Sequence, residues 1–192
     1  LFNGNQVSKN SDFENYLKRL GYNFKNENSE VGGYILLKNK KFAFAMDLGS
    51  APDKKFSDDY QSGALSFEII RNNKKLICNS GYFQNYKHQL NNISKTTACH
   101  STLSIANHSS VQFVKQPDSP SKISTGLKIF NKKIISENNY WSASASHDGY
   151  NKRFGIIHER KIDFLHDAEK FIGVDKIFKK KKFKSVNFEI RF

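Results

Sequence analysis

Apolar and polar residues alternate, or form short apolar runs, through most of the chain, and this pattern is typical of β-strands. Turn residues, mostly Asn and Gly, separate the runs. We predict strands at residues 33–37, 42–48, 64–71, 75–79, 101–107, 111–114, 127–130, 133–137, 140–147, 153–162, 176–178 and 186–192. Many short strands joined by hairpin turns favour an all-β fold of large stacked antiparallel sheets, a β-sandwich.

One segment near the start has a helical period instead. Residues 11–14 (Ser-Asp-Phe-Glu) fit a capping box, and apolar residues follow at helical spacing until Gly21. We therefore predict one short N-terminal helix. We assign residues 1–30 to a linker that contains this helix, and residues 31–192 to the β-sandwich domain.

The composition is that of a globular domain. The chain has 192 residues, of which 38% are hydrophobic and 14% aromatic, and a chain of this size buries a core without metal ions or disulfides. The longest apolar runs contain only about six residues, which is too short for a transmembrane helix. A membrane-spanning role is therefore excluded at the level of the sequence.

The charge balance narrows the class of partner. Lys and Arg number 31 against 18 Asp and Glu, a net charge of +13, and such a surplus attracts polyanions such as acidic polysaccharide, nucleic acid or anionic lipid. Only five of these cations are Arg, the residue that reads base edges, so we expect no specific nucleic-acid binding. A compositional bias toward Lys, Asn and Ile explains the surplus equally well. The lysine run at 179–182 fits a solvated turn or edge strand better than a polyanion contact.

Histidines are the main candidates for chemistry. His100, His147 and His158 lie in or beside predicted strands. His100 fits a ligand, a base or a hydrogen-bonded sheet histidine, and composition alone favours the last. Residues 147–150 (His-Asp-Gly-Tyr) fit either acid/base catalysis or a rigid turn. We favour the turn, because adjacent residues of a strand, such as His147 and Asp148, face opposite sides of the sheet. Hydrolase, zincin and nucleotide-binding motifs are absent from the sequence.

The cysteines and the chain ends give further expectations. The spacing of Cys78 and Cys99 does not fit a zinc ribbon, and one disulfide between them is possible. The chain begins at Leu1 without a signal-peptide pattern, and its last predicted strand stops within an alternating run. We therefore expect a fragment of a longer chain, truncated at both ends, whose localisation is not readable from its termini.

A series of sequence blocks follows an order that a known family shares. The blocks are Gly-Gly-Tyr (32–34), Met-Asp-Leu-Gly (46–49), Gln-Ser-Gly-Ala-Leu-Ser-Phe-Glu (61–68), Leu-Ile-Cys-Asn-Ser-Gly (76–81), Thr-Ala-Cys-His-Ser-Thr-Leu (97–103), His-Asp-Gly-Tyr (147–150), Phe-Gly-Ile-Ile-His-Glu-Arg (154–160) and Phe-Glu-Ile-Arg-Phe (188–192). Together they resemble the C-terminal β domain of the heparinase II/III-like polysaccharide lyases, over residues 30–192.

The resemblance implies an architecture and a reaction. The family has an N-terminal helical toroid, absent here, followed by stacked antiparallel sheets, and it cleaves acidic polysaccharide by β-elimination at a uronic acid. In that reaction the sugar carboxylate is neutralised, a Tyr or His takes the C5 proton, and an acid protonates the leaving oxygen. The family's catalytic Tyr lies largely on the toroid, so we expect the fragment alone to be inactive. Members with signal peptides work in the periplasm, which suggests that location for the parent protein.

The resemblance also implies site residues, with departures. The family's His-x-His pair falls on Asp59 and Gln61, and its other metal ligands fall on Asn79 and His100. Two neutral amides and one imidazole are poor zinc ligands, so we predict no metal and no cofactor. We predict that Gln61, Asn79 and His100 form a hydrogen-bonded cluster that contacts substrate, with simple satisfaction of the amides as the alternative. His100 and Tyr60 are the candidates for catalysis, although strand alternation would turn Tyr60 away from the side that Gln61 faces.

Two hypotheses of function follow. In the first, the chain is the β domain of a lyase that acts on uronate-containing polysaccharide, such as alginate or a glycosaminoglycan, together with a toroid domain of the same parent chain. In the second, it is a non-catalytic module that binds acidic glycans or packs against a helical domain, having lost the catalytic and metal-binding histidines. Nonspecific nucleic-acid binding through the lysines is a weaker third.

Overall fold

Strands are the main regular secondary structure of the described part of the protein. It is a computed structural model that describes residues 15–16, 19–21, 29–179 and 185–192. The strands are β1 (Ser29–Val31), β2 (Tyr34–Lys38), β3 (Phe42–Asp47), β4 (Phe67–Arg71), β5 (Lys74–Ile77), β6 (Leu103–Ile105), β7 (Gln112–Val114), β8 (Lys122–Thr125), β9 (Ile129–Glu137), β10 (Tyr140–His147), β11 (Ile156–Leu165), β12 (Lys170–Lys179) and β13 (Phe188–Ile190). Short helices α1 (Gln89–Ser94) and α2 (Asn151–Phe154) and 3-10 turns at Lys54–Phe56 and Thr97–Cys99 connect them.

Two antiparallel sheets form the body of the domain. One has the strand order β1-β2-β3-β4-β5 and the other β12-β11-β10-β9, while β6 pairs with β13 and β7 with β8. The hairpin between β4 and β5 turns through Asn72 and Asn73, whose φ angles are 47° and 62°. Two successive left-handed residues match the twist of the flanking strands. The predicted all-β sandwich of antiparallel sheets is confirmed.

The main core lies between these two sheets. Phe44, Met46 and Phe67 of the five-stranded sheet are buried together with Trp141 and Phe164 of the four-stranded sheet. The rings of Trp141 and Phe164 are 5.0 Å apart. Because successive strand residues face opposite ways, the neighbours of these core residues lie on the outer faces of the sheets.

Several details of the predicted strands are wrong: β8 was not predicted, β12 begins at Lys170 rather than at residue 176, and two further differences have a clear local cause. Residues 153–162 do not form one strand, because the helical turn α2 runs to Phe154 and ends at Gly155, whose left-handed φ of 63° closes it. The predicted break at Asn131 is not a break, since β9 continues through it. Asn131 has a φ of 55° and forms a bulge, which adds one residue to a strand without ending it.

Helices are the least predictable elements of this chain. Helix α1 has no Ser, Thr, Asp or Asn at its start; the Nδ1 atom of His88 accepts the hydrogen bond of the Leu90 amide instead, at 3.2 Å. In the predicted N-terminal helix, residues 15, 16 and 19 are helical and residues 20 and 21 form a turn. The other residues of that segment lie outside the described ranges, as do three lysines of the 179–182 run. Within the described ranges, no helix is long and apolar enough to cross a membrane.

Candidate functional site

A polar cleft of about 240 Å³ lies on the outer face of the five-stranded sheet. Strands β2, β3 and β4 supply Tyr34, Asp47 and Glu68 to its floor. Tyr34 is paired directly with Asp47, and Glu68 is paired with Ala45, two residues before Asp47. Residues that are paired across a sheet or two apart along a strand share a face, so the register of three strands brings these polar side chains together.

Loops form the remaining walls of the cleft. The loop before β4 supplies Asp59, Tyr60, Gln61, Gly63 and Ser66, and the other lining residues are Lys75, Asn79, Gly81, Tyr82 and His100. Gly63 permits the close approach of two of these loops. A Cβ atom at this position would lie 2.8 Å from Cδ2 of His100, so a larger residue would displace the imidazole.

His100 is held in one orientation by the backbone. Its Nδ1 atom lies 2.8 Å from the carbonyl oxygen of Thr96, and because a carbonyl only accepts, Nδ1 carries the proton. The Nε2 atom therefore has a lone pair, and Oε1 of Gln61 lies 3.3 Å from it. Because two acceptors do not bond each other, we assign the Gln61 amide the flipped orientation, in which its nitrogen donates to Nε2. Burial lowers the pKa of His100. The cleft thus contains a neutral imidazole that is able to accept a proton.

Asn79 joins the floor of the cleft to the His100 loop. Its Oδ1 atom accepts a hydrogen bond from the backbone amide of Ser101 at 2.8 Å. The Ser101 hydroxyl lies 3.2 Å from the same atom, but its single proton is closer to the carbonyl oxygen of Phe67. The Nδ2 atom of Asn79 donates to Ser66 at 3.4 Å, and its own backbone amide donates to Glu68 at 3.2 Å. The oxygen of Asn79 is therefore engaged within the protein, and one Nδ2 hydrogen is left for a ligand.

The three predicted site residues thus lie in one cleft. Gln61 contacts His100 directly, and Asn79 contacts Ser101, the residue after His100. Their contact with a substrate stays a prediction. Sequence reasoning selected these positions, which are distant along the chain, because they were recognised as parts of blocks of one family.

Asp47 and Glu68 belong to the cleft but were not among the predicted site residues. Asp47 is only 8% exposed, and burial raises its pKa to about 7, although the Gly49 amide, which donates to Oδ1 at 2.9 Å, opposes this shift. A signal was present in the sequence. In the strand pattern of residues 42–47, Asp47 falls on the face opposite to Phe44 and Met46, which marks it as an outer-face residue.

Tyr60 lies beside Gln61 in the cleft, so the expected separation of these two residues is wrong. They are part of an irregular loop, to which the alternation of strands does not apply. The Tyr60 ring packs 6.5 Å from that of Phe113, and its hydroxyl oxygen is buried without a hydrogen-bond partner among the described residues. Burial raises the pKa of Tyr60 far above its ordinary value, so the phenol remains protonated and acts as a donor rather than a base.

The residues at the family's metal position do not fit a zinc ion. Gln61 and Asn79 carry no charge, and Oδ1 of Asn79 already accepts the hydrogen bond of the Ser101 backbone amide. Zinc prefers His, Cys or carboxylate ligands. Across residues 29–179 and the other described ranges, no group of three or more His, Cys, Asp and Glu is placed to hold a metal.

A buried hydrogen-bond network lies beneath the cleft, between the sheets. The amide of Gly149 donates to Nδ1 of His147, whose Nε2 lies 3.1 Å from Nδ1 of His158. His158 donates from Nε2 to Asp175 at 2.6 Å. Each nitrogen thus has a complementary partner with both imidazoles neutral, and burial lowers the pKa of both. This network supports the structural interpretation of residues 147–150.

Arg160 connects this network to the cleft. It donates to both oxygens of Asp175, at 2.8 and 3.0 Å, and its Nη1 donates to the carbonyl oxygens of Leu65 at 3.0 Å and Ser101 at 2.6 Å. Burial alone would raise the pKa of Asp175, but the hydrogen bonds from His158 and Arg160 outweigh it and hold the value at about 2. Arg160 therefore positions the backbone of two loops that line the cleft.

The two cysteines flank the site. Cys78 precedes Asn79, Cys99 precedes His100, and both thiols are free. The Sγ atom of Cys99 donates to the carbonyl oxygen of Ile93 at 3.2 Å. The disulfide that the sequence left open is therefore not formed in this structure.

Comparisons with known proteins agree with this architecture. The family described as Heparinase II/III-like, C-terminal matches residues 25–192. The fold is similar to the crystal structure of a heparan sulfate lyase HepC mutant from Pedobacter heparinus, with a TM-score of 0.63 and 16% sequence identity. The match covers 89% of this chain and 27% of that chain. Comparison with curated proteins gives no match. Because the family match includes most of its residues, the chain belongs to the Heparinase II/III-like, C-terminal family.

Proposed function

We propose that the domain forms one wall of the active-site cleft of a polysaccharide lyase, which cleaves uronate-containing acidic polysaccharide by β-elimination. Membership of the family supports the class of protein. The observation that carries the proposal is the neutral imidazole of His100, fixed at Nδ1 by the Thr96 carbonyl and in contact with Gln61 through Nε2. An amide and an imidazole in a cleft suit contact with a sugar.

The residues of this cleft supply only some of the groups that the reaction needs. In β-elimination a base removes the C5 proton, the C4–C5 double bond forms, the C4–O bond breaks, and the leaving oxygen takes a proton. His100 is able to accept a proton at Nε2, whereas the raised pKa of Tyr60 keeps its phenol protonated, so Tyr60 is not suited to act as a base or to give up its proton. Lys75 is the only cationic side chain among the lining residues. The groups that neutralise the uronate therefore belong to the opposite wall, which we assign to a helical toroid preceding this domain in the parent chain.

A second candidate is a non-catalytic module that binds acidic glycan. It is favoured by the neutral amides of Gln61 and Asn79, and by the hydrogen bond that the Asn79 oxygen accepts from the Ser101 backbone amide. In this case the cleft holds a sugar without any bond being broken.

The test is an assay of the full-length protein that contains this chain, with alginate and glycosaminoglycans as substrates. The unsaturated product absorbs ultraviolet light, so its formation is followed directly. We expect His100→Ala to lower kcat/KM by about a hundredfold, the range of a lost acid/base group, with little change in Tm. His88→Asn, at an exposed histidine outside the cleft that retains a capping side chain, is the matched control and should leave the rate unchanged.

Two outcomes decide between the candidates. Absence of unsaturated product with every substrate, combined with retained glycan binding, would establish the non-catalytic module. A large fall in Tm of His100→Ala with unchanged kcat/KM would show that His100 only stabilises the sheet.

A further inference from the structure

We propose that the carboxyl-lined part of the cleft binds an uncharged, hydroxyl-rich sugar unit, next to the uronate that faces His100, and rejects a sulfated unit. This inference rests on the proposed function and names the substrate class of the same site. It predicts a polymer in which the uronate alternates with a neutral hexose or an N-acetylated hexosamine. A uronate homopolymer and a sulfated polymer are then both poor ligands.

The charge of the cleft is opposite to that of the chain. The whole chain has a net charge of +13, yet the cleft is lined by the carboxyl groups of Asp47, Asp59 and Glu68 and by a single cation, Lys75. The cationic surplus therefore attracts a polyanion to the molecule in general but does not extend into the cleft. A unit that enters the cleft meets acceptors of hydrogen bonds rather than counter-charges.

The acidic groups of the cleft are structurally fixed. Glu68 is only 7% exposed and accepts the amide of Asn79 at 3.2 Å. Asp59 accepts the hydroxyl of Tyr82 at 3.0 Å, and Tyr82 in turn accepts a hydrogen bond from Asn91 at 2.9 Å. Because these side chains are anchored, they cannot swing away from an incoming anion. Burial of Glu68 also limits the screening of its charge by salt, so its repulsion of an anion persists at physiological ionic strength.

The same groups suit sugar hydroxyls. A carboxylate accepts up to four hydrogen bonds and donates none, so Asp59 and Glu68 retain acceptor capacity for O–H donors. The free amide hydrogens of Gln61 and Asn79 offer complementary donors. A sulfate group presents only acceptor oxygens and a negative charge, and it would therefore be opposed by the carboxylates both sterically and electrostatically.

The experiment compares two tetrasaccharides with the same backbone, an unsulfated hyaluronan tetrasaccharide and its chemically O-sulfated derivative. Binding to the 192-residue chain is measured by isothermal titration calorimetry at physiological salt, with an alginate tetrasaccharide as the uronate-only probe. We expect the unsulfated hyaluronan tetrasaccharide to bind at least about tenfold more tightly than either of the others, because each of these places an additional anion among the carboxylates.

Amino-acid substitutions test whether the cleft causes the difference in affinity between the sulfated and the unsulfated tetrasaccharide. The double substitution Asp59→Asn with Glu68→Gln keeps the oxygens that accept from Tyr82 and Asn79 but removes two charges. We expect it to strengthen binding of the sulfated tetrasaccharide about tenfold and to leave that of the unsulfated one nearly unchanged. Glu137→Gln, at an exposed carboxylate of β9, is the control for net charge and should change neither constant.

The possible failures are distinguishable. Equal or tighter binding of the sulfated tetrasaccharide, or discrimination that survives in the double variant, would overturn the proposal while the proposed glycan site stands. An equal effect of Glu137→Gln would also overturn it, by assigning the discrimination to net charge. If none of the tetrasaccharides binds, both this proposal and the assignment of the cleft as a glycan site are wrong.

Discussion

The buried carboxyl group of Asp47 gives the most quantitative prediction of the structure. In the unfolded chain its pKa is the ordinary 3.8, and burial in the folded protein raises it to about 7. Each unit of difference corresponds to about 1.4 kcal/mol. Ionisation of Asp47 at pH 8 therefore lowers the free energy of unfolding by about 4 kcal/mol relative to a neutral side chain at that position.

The sign of the pH dependence follows from proton binding. Between pH 4 and pH 7 the folded protein retains a proton on Asp47 that the unfolded chain has released, so stability falls as the pH rises through this window. Below pH 4 Asp47 is protonated in both the folded and the unfolded state, so it does not lower the free energy of unfolding. Above pH 7 Asp47 is ionised in both states, and the decrease in the free energy of unfolding no longer changes with pH.

The substitution Asp47→Asn tests this reasoning directly. Asn has nearly the same shape and keeps an oxygen to accept the Gly49 amide. We expect the variant to be more stable than the parent by about 4 kcal/mol at pH 8 and about equally stable at pH 4. Urea unfolding of both proteins from pH 4 to pH 8.5 measures the difference, in which the titration of all other groups cancels. A difference that does not vary with pH, or a destabilised variant at pH 8, would refute the argument.

Two further predictions concern the support of the cleft. Arg160→Met should lower the free energy of unfolding by about 3–5 kcal/mol, because Asp175 stays buried without its main charge partner. Urea unfolding measures this difference. A decrease of less than about 1 kcal/mol would contradict the role assigned to Arg160. Gly63→Ala should displace the His100 ring through the 2.8 Å contact, and lower kcat/KM or glycan affinity more than tenfold with a stability loss of about 1–3 kcal/mol. Unchanged function in a folded Gly63→Ala protein would show that the position of His100 is not critical.

Much of the fold was accessible from the sequence because its signals are local. Phe42, Phe44 and Met46 alternate with less bulky or polar residues, which is the pattern of a strand with one buried face. Asn72 and Asn73 mark a hairpin because Asn tolerates left-handed φ angles. Helix α1 escaped prediction because its capping group is the ring of His88 rather than a usual capping residue.

The candidate site was only partly accessible because its parts meet through sheet register. Gln61, Asn79 and His100 were found by their positions in recognised blocks, not by periodicity. Asp47 and Glu68 share the cleft because β3 and β4 pair with Ala45 opposite Glu68. A shift of the pairing by one residue would move every side chain of a strand to the other face, and a single sequence does not state which register is adopted.

The buried network shows the same dependence on register, and it bears on the role of Asp47. His147 pairs with His158 and Arg160 pairs with Asp175, so two direct cross-strand pairs create a rigid support for the cleft. The cleft also contains Asp47, an ionisable group that lowers stability at neutral pH at a position where an amide would fit. Groups with a strongly shifted pKa occur often at functional sites, although the structural network of His147, His158 and Asp175 also contains them. The difference is that Asp47 lines an open cleft, which supports the proposal that the cleft, and not the Lys-rich surface, is where this domain meets its ligand.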